Sequence, residues 1–156
     1  ATASLWAADD CSHPSVQQWA TRFSFPVFPQ CQGDLGERMF DCLAVSAVVH
    51  ERTLLVGTDC PALDVDHLRG AANSLTPDCP WVFTPAEDGG YVLVGSDRPT
   101  PEPFVGIAWG SGEVMTQTRL ALTRDALGWA EMDQLWDVDE PADVERARTA
   151  GFINTP

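Results

Sequence analysis

The chain has no lysine, a single tyrosine and no C-x-x-C pair. Without lysine there is no Walker A loop, whose lysine reaches the nucleotide phosphates. Nine arginines face 23 acidic residues, giving a formal net charge of −14. That balance repels a phosphate backbone and argues against nucleic-acid partners. It equally opposes adhesion to anionic membranes. Cys11, Cys31, Cys42, Cys60 and Cys79 are odd in number and widely spaced, which supports neither a zinc site nor a thioredoxin motif. They read as reduced, mostly buried thiols of a cytoplasmic protein. His13, His50 and His67 share no ligand spacing and read as surface or capping residues. No apolar run reaches the roughly 18 residues of a membrane span. No basic segment precedes an apolar one, so no secretory signal is expected. Neither a G-x-S-x-G elbow nor an internal repeat occurs.

What is present is enough apolar material for a core. The 156 residues are 44% hydrophobic, with six Trp and seven Phe, and read as one domain over 1–156. Strand-like and helix-like patterns alternate. Ser4 to Ala8 reads as a short strand. Ser12 is placed to cap a helix with Pro14 in its first turn and Val16, Trp19, Ala20 and Phe23 on one face. Phe25 to Cys31 carries two prolines and reads as an edge strand or an extended segment. Asp34 and Glu37 form a capping-box pair for the next helix. Thr53 to Asp59 reads as a buried central strand, and Asp64 caps the helix after it. Trp81 to Pro85 and Tyr91 to Gly95 are strands joined by a tight reversal. Ser111 or Gly112 starts a helix to about Leu127, Trp129 to Trp136 is strand-like, and Pro141 opens the last helix. The alternation predicts an α/β layered fold with a mostly parallel sheet.

Four segments carry polar groups at places where chemistry is done. Asp59 follows a strand, where open α/β sheets bind ligands, with Gly57 and Thr58 before it. A carboxylate there is either a turn residue or a ligand for Mg²⁺ or Mn²⁺ on a phosphorylated substrate. Such a cation would let an acidic chain bind a nucleotide. Glu87 and Asp88 precede Gly89, Gly90 and Tyr91. They read as acid/base or metal-orienting carboxylates beside a close-approach loop, or as an ordinary hairpin turn. Asp137 and Asp139 alternate onto one side of an extended segment that runs into a proline-initiated helix. They could share a cation with Asp59, or they could serve the helix dipole with Glu140 and Asp143. Gly106 to Glu113 is glycine-rich around Trp109, but Met115 stands where a dinucleotide fingerprint needs glycine.

These motifs, in this order, resemble the bacterial radical-SAM/selenodomain-associated glycosyltransferase-like family. The residues that carry the likeness are Gly33–Met39, Gly57–Pro61, Pro85–Tyr91, Trp109–Gly110 and Asp137–Asp143. The family is similar in fold to molybdenum-cofactor and phospholactate guanylyltransferases. The resemblance implies a three-layer α/β/α sandwich of nucleotide-diphospho-sugar transferase type. It implies metal-dependent transfer from a nucleotide sugar, with an NTP and nucleotidyl transfer as the alternative. A non-catalytic binding or assembly module that keeps the fold is the alternative from another class. On this likeness Asp59, with Asp137 or Asp139, holds the metal, and the Glu87–Gly90 turn lies beside the second substrate. The family's first strand and its Lys/Arg-containing phosphate loop have no counterpart in this sequence, which reads as an N-terminally truncated member. That departure predicts weak nucleotide affinity. It also predicts two strand edges to be covered, by direct pairing or by a partner chain such as a homo-oligomer.

Overall fold

The structure is a computed structural model that describes residues 1–153. Its strands form two sheets. Leu5–Ala7 (β1) pairs in parallel with Val27–Pro29 (β2), and the helix Pro14–Phe23 (α1) connects them. The larger sheet has four strands: Thr53–Val56 (β3), Trp81–Pro85 (β4), Tyr91–Ser96 (β5) and Trp129–Glu131 (β6). Their spatial order is β3-β5-β4-β6. The remaining helices are Leu35–Ala47 (α2), Val65–Ser74 (α3), Val114–Arg124 (α4) and Pro141–Thr149 (α5). Among the described residues no helix is long and apolar enough to cross a membrane.

Alternation along β4 builds the layers. Trp81 and Phe83 face one side and pack with Leu43 of α2, Phe104, and Met115 and Leu122 of α4. Val82 faces the other side and packs with Leu93, with Ala71 of α3 and with Leu75 just after that helix. Helices therefore cover both faces, as an α/β/α sandwich requires. All five residues of β4 are buried, which explains its uninterrupted apolar run.

Several expectations need correction. The sheet is mixed rather than mostly parallel, because β5 runs antiparallel to both β3 and β4, and only β4 and β6 pair in parallel. The short Glu87–Gly90 reversal forces this, since parallel neighbours need a long crossover. The strand at Thr53 is an edge strand, part-buried and finished by Val56, while β5 and β4 hold the centre. Helix α1 is capped by His13, whose ring accepts from the Ser15 N–H, whereas Ser12 donates its hydroxyl to Asp10. Trp19 and Phe23 of α1 are exposed, and only Ala20 is buried. Helix α4 begins at Val114 rather than at Ser111 or Gly112, and its first-turn Met115 N–H, which has no partner within the helix, reaches the Gly89 carbonyl at 2.8 Å. The Trp129–Trp136 segment stays in regular pairing only to Glu131 and meets the chain again at an isolated parallel bridge between Leu135 and Ala86, just past β4. Of the five free cysteines only Cys42 is fully buried.

Candidate functional site

Strands β3, β4 and β6 point the same way, since β5 opposes the first two and β6 is parallel to β4. Their C-terminal ends therefore deliver Asp59, Asp88 and Asp137 to one sheet edge, the edge where α/β sheets bind ligands. Oxygens of Asp88, Asp137 and Asp139 lie within 4.8 Å of one another.

Backbone contacts fix this convergence. Leu135 exchanges hydrogen bonds with β4, its N–H reaching the Pro85 carbonyl and its carbonyl taking the Glu87 N–H, both at 3.0 Å. The Val138 N–H donates to the Asp59 carbonyl at 3.0 Å, so the loop after β3 is stitched to the 137–139 segment. Asp88 accepts the Gly90 N–H at 2.8 Å, an Asx turn that aims the carboxylate. Gly89 has φ +93°, and a Cβ there would land on the Gly112 backbone. Glycine at 89 is therefore a steric requirement set by the Gly112 backbone. The Asp59 carboxylate folds back over Gly57, with Oδ1 at 2.6 Å from where a Cβ of residue 57 would stand.

Electrostatics mark Asp137. Its carboxyl is held above the usual value, first by burial and then by the facing charges of Asp88, Asp139 and Asp59. The Cys60 thiol is also pushed up, chiefly by burial, with Asp137 and Asp59 adding to it. Asp59 thus acts on Asp137 electrostatically, while Asp88 takes its place in the close group of three.

The other singled-out residues divide. Thr58 and Gly57 sit exposed at the end of β3. Glu87 makes a two-pronged ion pair with Arg146, at 2.7 and 2.9 Å, and Arg146 also lies 4.3 Å over the Trp136 ring. The Arg146 hydrogen bonds lower the Glu87 carboxyl and keep it ionised. Arg146 was not legible as a site residue, because nothing in sequence separates it from other helix arginines. Tyr91 turns into the core, edge-on to Phe83 at 5.2 Å and to Trp109 at 6.4 Å. Burial pushes its phenol well above the usual range. Trp109 packs over Gly36 of α2, where a Cβ would meet its ring. Both aromatics pack against the core cluster around Phe83.

The layers and the carboxylate edge define an α/β protein with the fold of the nucleotide-diphospho-sugar transferases. The crystal structure of a "putative nucleotide-diphospho-sugar transferase" from Desulfovibrio desulfuricans G20 matches it with a TM-score of 0.78 at 26% identity. The match covers 89% of this chain and 62% of that one, so this chain spans less than two thirds of its length. The chain belongs to the bacterial family described as "Uncharacterized protein conserved in bacteria (DUF2064)", whose model matches residues 1–111. No curated protein matches it.

Proposed function

We propose that this is a glycosyltransferase-like protein whose carboxylates hold a Mg²⁺ or Mn²⁺ ion on the diphosphate of a nucleotide sugar. The observation that carries this reading is the convergence of Asp88, Asp137 and Asp139 at the strand-end edge. An all-oxygen, all-carboxylate donor set suits a hard divalent cation. Burial first, and then the facing charges of Asp88, Asp139 and Asp59, raise Asp137, and a bound cation would offset both penalties. When bound, the ion would neutralise charge on the leaving diphosphate. Asp59 braces the 137–139 segment through its carbonyl and adds negative potential. Gly89 and Gly90 let backbone approach a substrate closely. Glu87, ionised and paired, anchors Arg146 rather than donating a proton.

The test has two arms. Mn²⁺ binding is followed by water-proton relaxation in the wild type, in Asp137→Asn, in Asp139→Asn and in Glu131→Gln as a carboxylate control. Binding is expected in the wild type and the control and lost in the two aspartate variants. Products from a panel of nucleotide sugars and NTPs are then read by mass spectrometry. Glycosyl transfer is the expected result. Nucleotidyl transfer would move the reading to the alternative donor class. Cation binding without any product would favour a binding module. Absence of Mn²⁺ binding would overturn the proposal.

A further inference from the structure

The carboxylates of the strand-end edge sit on two distant stretches of chain, and helix α5 grips both. On that helix Asp143 and Arg146 stand three residues apart and share a side. Ala147 is buried beside them and seats the helix. The Asp143 carboxylate accepts the Asp139 N–H at 3.2 Å and the Glu140 N–H at 2.9 Å. Arg146 donates from Nη1 and Nη2 to the two Glu87 carboxylate oxygens, at 2.7 and 2.9 Å. The same guanidinium lies 4.3 Å over the ring of Trp136, which also meets the Phe152 ring at 6.2 Å. Glu87 directly precedes Asp88, and Trp136 directly precedes Asp137.

We propose that Arg146 is a positioning residue of the carboxylate site: by holding Glu87 and Trp136 together it sets the spacing of Asp88 and Asp137, and with it the affinity for the cation. This rests on the cation reading above. A guanidinium that is two-pronged at its tip and stacked on its face has both its position and its plane fixed. The main chain joins the two stretches through the Glu87 N–H and the Leu135 carbonyl. Arg146 adds a side-chain tie next to each carboxylate, which limits how the stretches turn past one another. The ion pair is half-exposed and contributes little stability by itself, so its effect is on geometry. Charge alone does not explain this arginine. A positive group beside a cation site opposes the cation. Glu87 offsets that charge and leaves the guanidinium to act as a clamp.

The opposite signs of the two effects supply the test. Mn²⁺ affinity is read by water-proton relaxation in the wild type, Arg146→Met, Arg148→Met, Glu87→Gln and the Glu87→Gln/Arg146→Met double variant. Loss of positive charge alone would tighten binding. Arg146→Met is expected to weaken it about tenfold. Arg148→Met removes the same charge from the same helix, where its partner is Glu145, and should stay within about twofold of the wild type. Glu87→Gln should also weaken binding, and the double variant should bind no more weakly than Arg146→Met, because both changes open one clamp. Hydrogen exchange on the metal-free protein gives a second readout. In Arg146→Met the Glu87 and Val138 amides should exchange at least about threefold faster, with the β4 amides unchanged. Equal acceleration throughout β4 would make Arg146 a stability residue and overturn the proposal. So would unchanged exchange at 87 and 138. Mn²⁺ binding by Arg146→Met that matches or exceeds that of the wild type would overturn it while leaving the cation reading intact. A wild type that binds no Mn²⁺ would bring down the cation reading and this inference with it.

Discussion

Residues 5–29 and residues 53–131 are both strand-and-helix units, yet they differ in what covers them. In the second unit β4 is buried along its whole length and helices pack on both faces. In the first, β1 is only part-buried, β2 is largely exposed, and α1 leaves Trp19 52% and Phe23 46% exposed. The first unit is denser in aromatics than the second, but its rings stack on one another at the surface: Trp19 on Phe23 at 5.4 Å and Phe23 on Phe25 at 5.6 Å. Aromatic content does not make a core. A strand with neighbours on both edges and helices on both faces does.

The largest test of that contrast is Phe83→Ala against Phe23→Ala. Removing the fully buried ring is expected to cost about 3–5 kcal/mol, and removing the exposed one under about 1 kcal/mol, in urea unfolding. Comparable losses would break the comparison. Next comes Gly89→Ala, which sets a Cβ against the Gly112 backbone at a positive φ. It should cost about 2 kcal/mol by the same measurement, showing that the second unit's order extends into its loops. Glu131→Gln sharpens the picture at β6. Arg119 holds Glu131 through two hydrogen bonds, which lower its carboxyl, with Trp129 adding a third. A lowered folded value gives stability that is full above the ordinary carboxyl range and lost as pH falls through the lowered one. Thermal scans from pH 7 to pH 3 should therefore show wild type above variant at neutral pH, by under about 1 kcal/mol after screening, and equal in acid. Asp137 has the opposite sign. Its raised value makes the ionised folded state less stable, a penalty that grows as pH rises from the ordinary carboxyl value through the raised one. Asp137→Asn should thus raise Tm at pH 7 by about 1–2 °C without added cation.

Much of the chain beyond residues 5–29 was legible because local and tertiary preferences agree there. The Asp34–Glu37 box, the Asp64 cap, both strands of the hairpin and the proline-led α5 all stand where pattern put them. The strand at Thr53 read as central because Leu54, Leu55 and Val56 are apolar. Apolarity reports burial against a helix, however, and says nothing of how many strands lie beside it. The amphipathic pattern of α1 likewise announced a buried face that its surroundings do not provide. At the site, the three strand-end aspartate segments could be found one by one. Their grouping depends on the Leu135 bridge and the order β5-β4-β6, which are long-range pairings with no local trace.

The hydrogen bond from Val138 to the Asp59 carbonyl has a further consequence. It joins two distant parts of the chain using main-chain atoms alone, so almost any side chain at either position leaves it intact. An alanine scan would pass over it, and sequence drift at 59 or 138 would carry no record of it. Proline at 138 is the substitution that removes the donor. A loop transplanted from another protein at either position would have to reproduce this backbone path, whatever residues it carried.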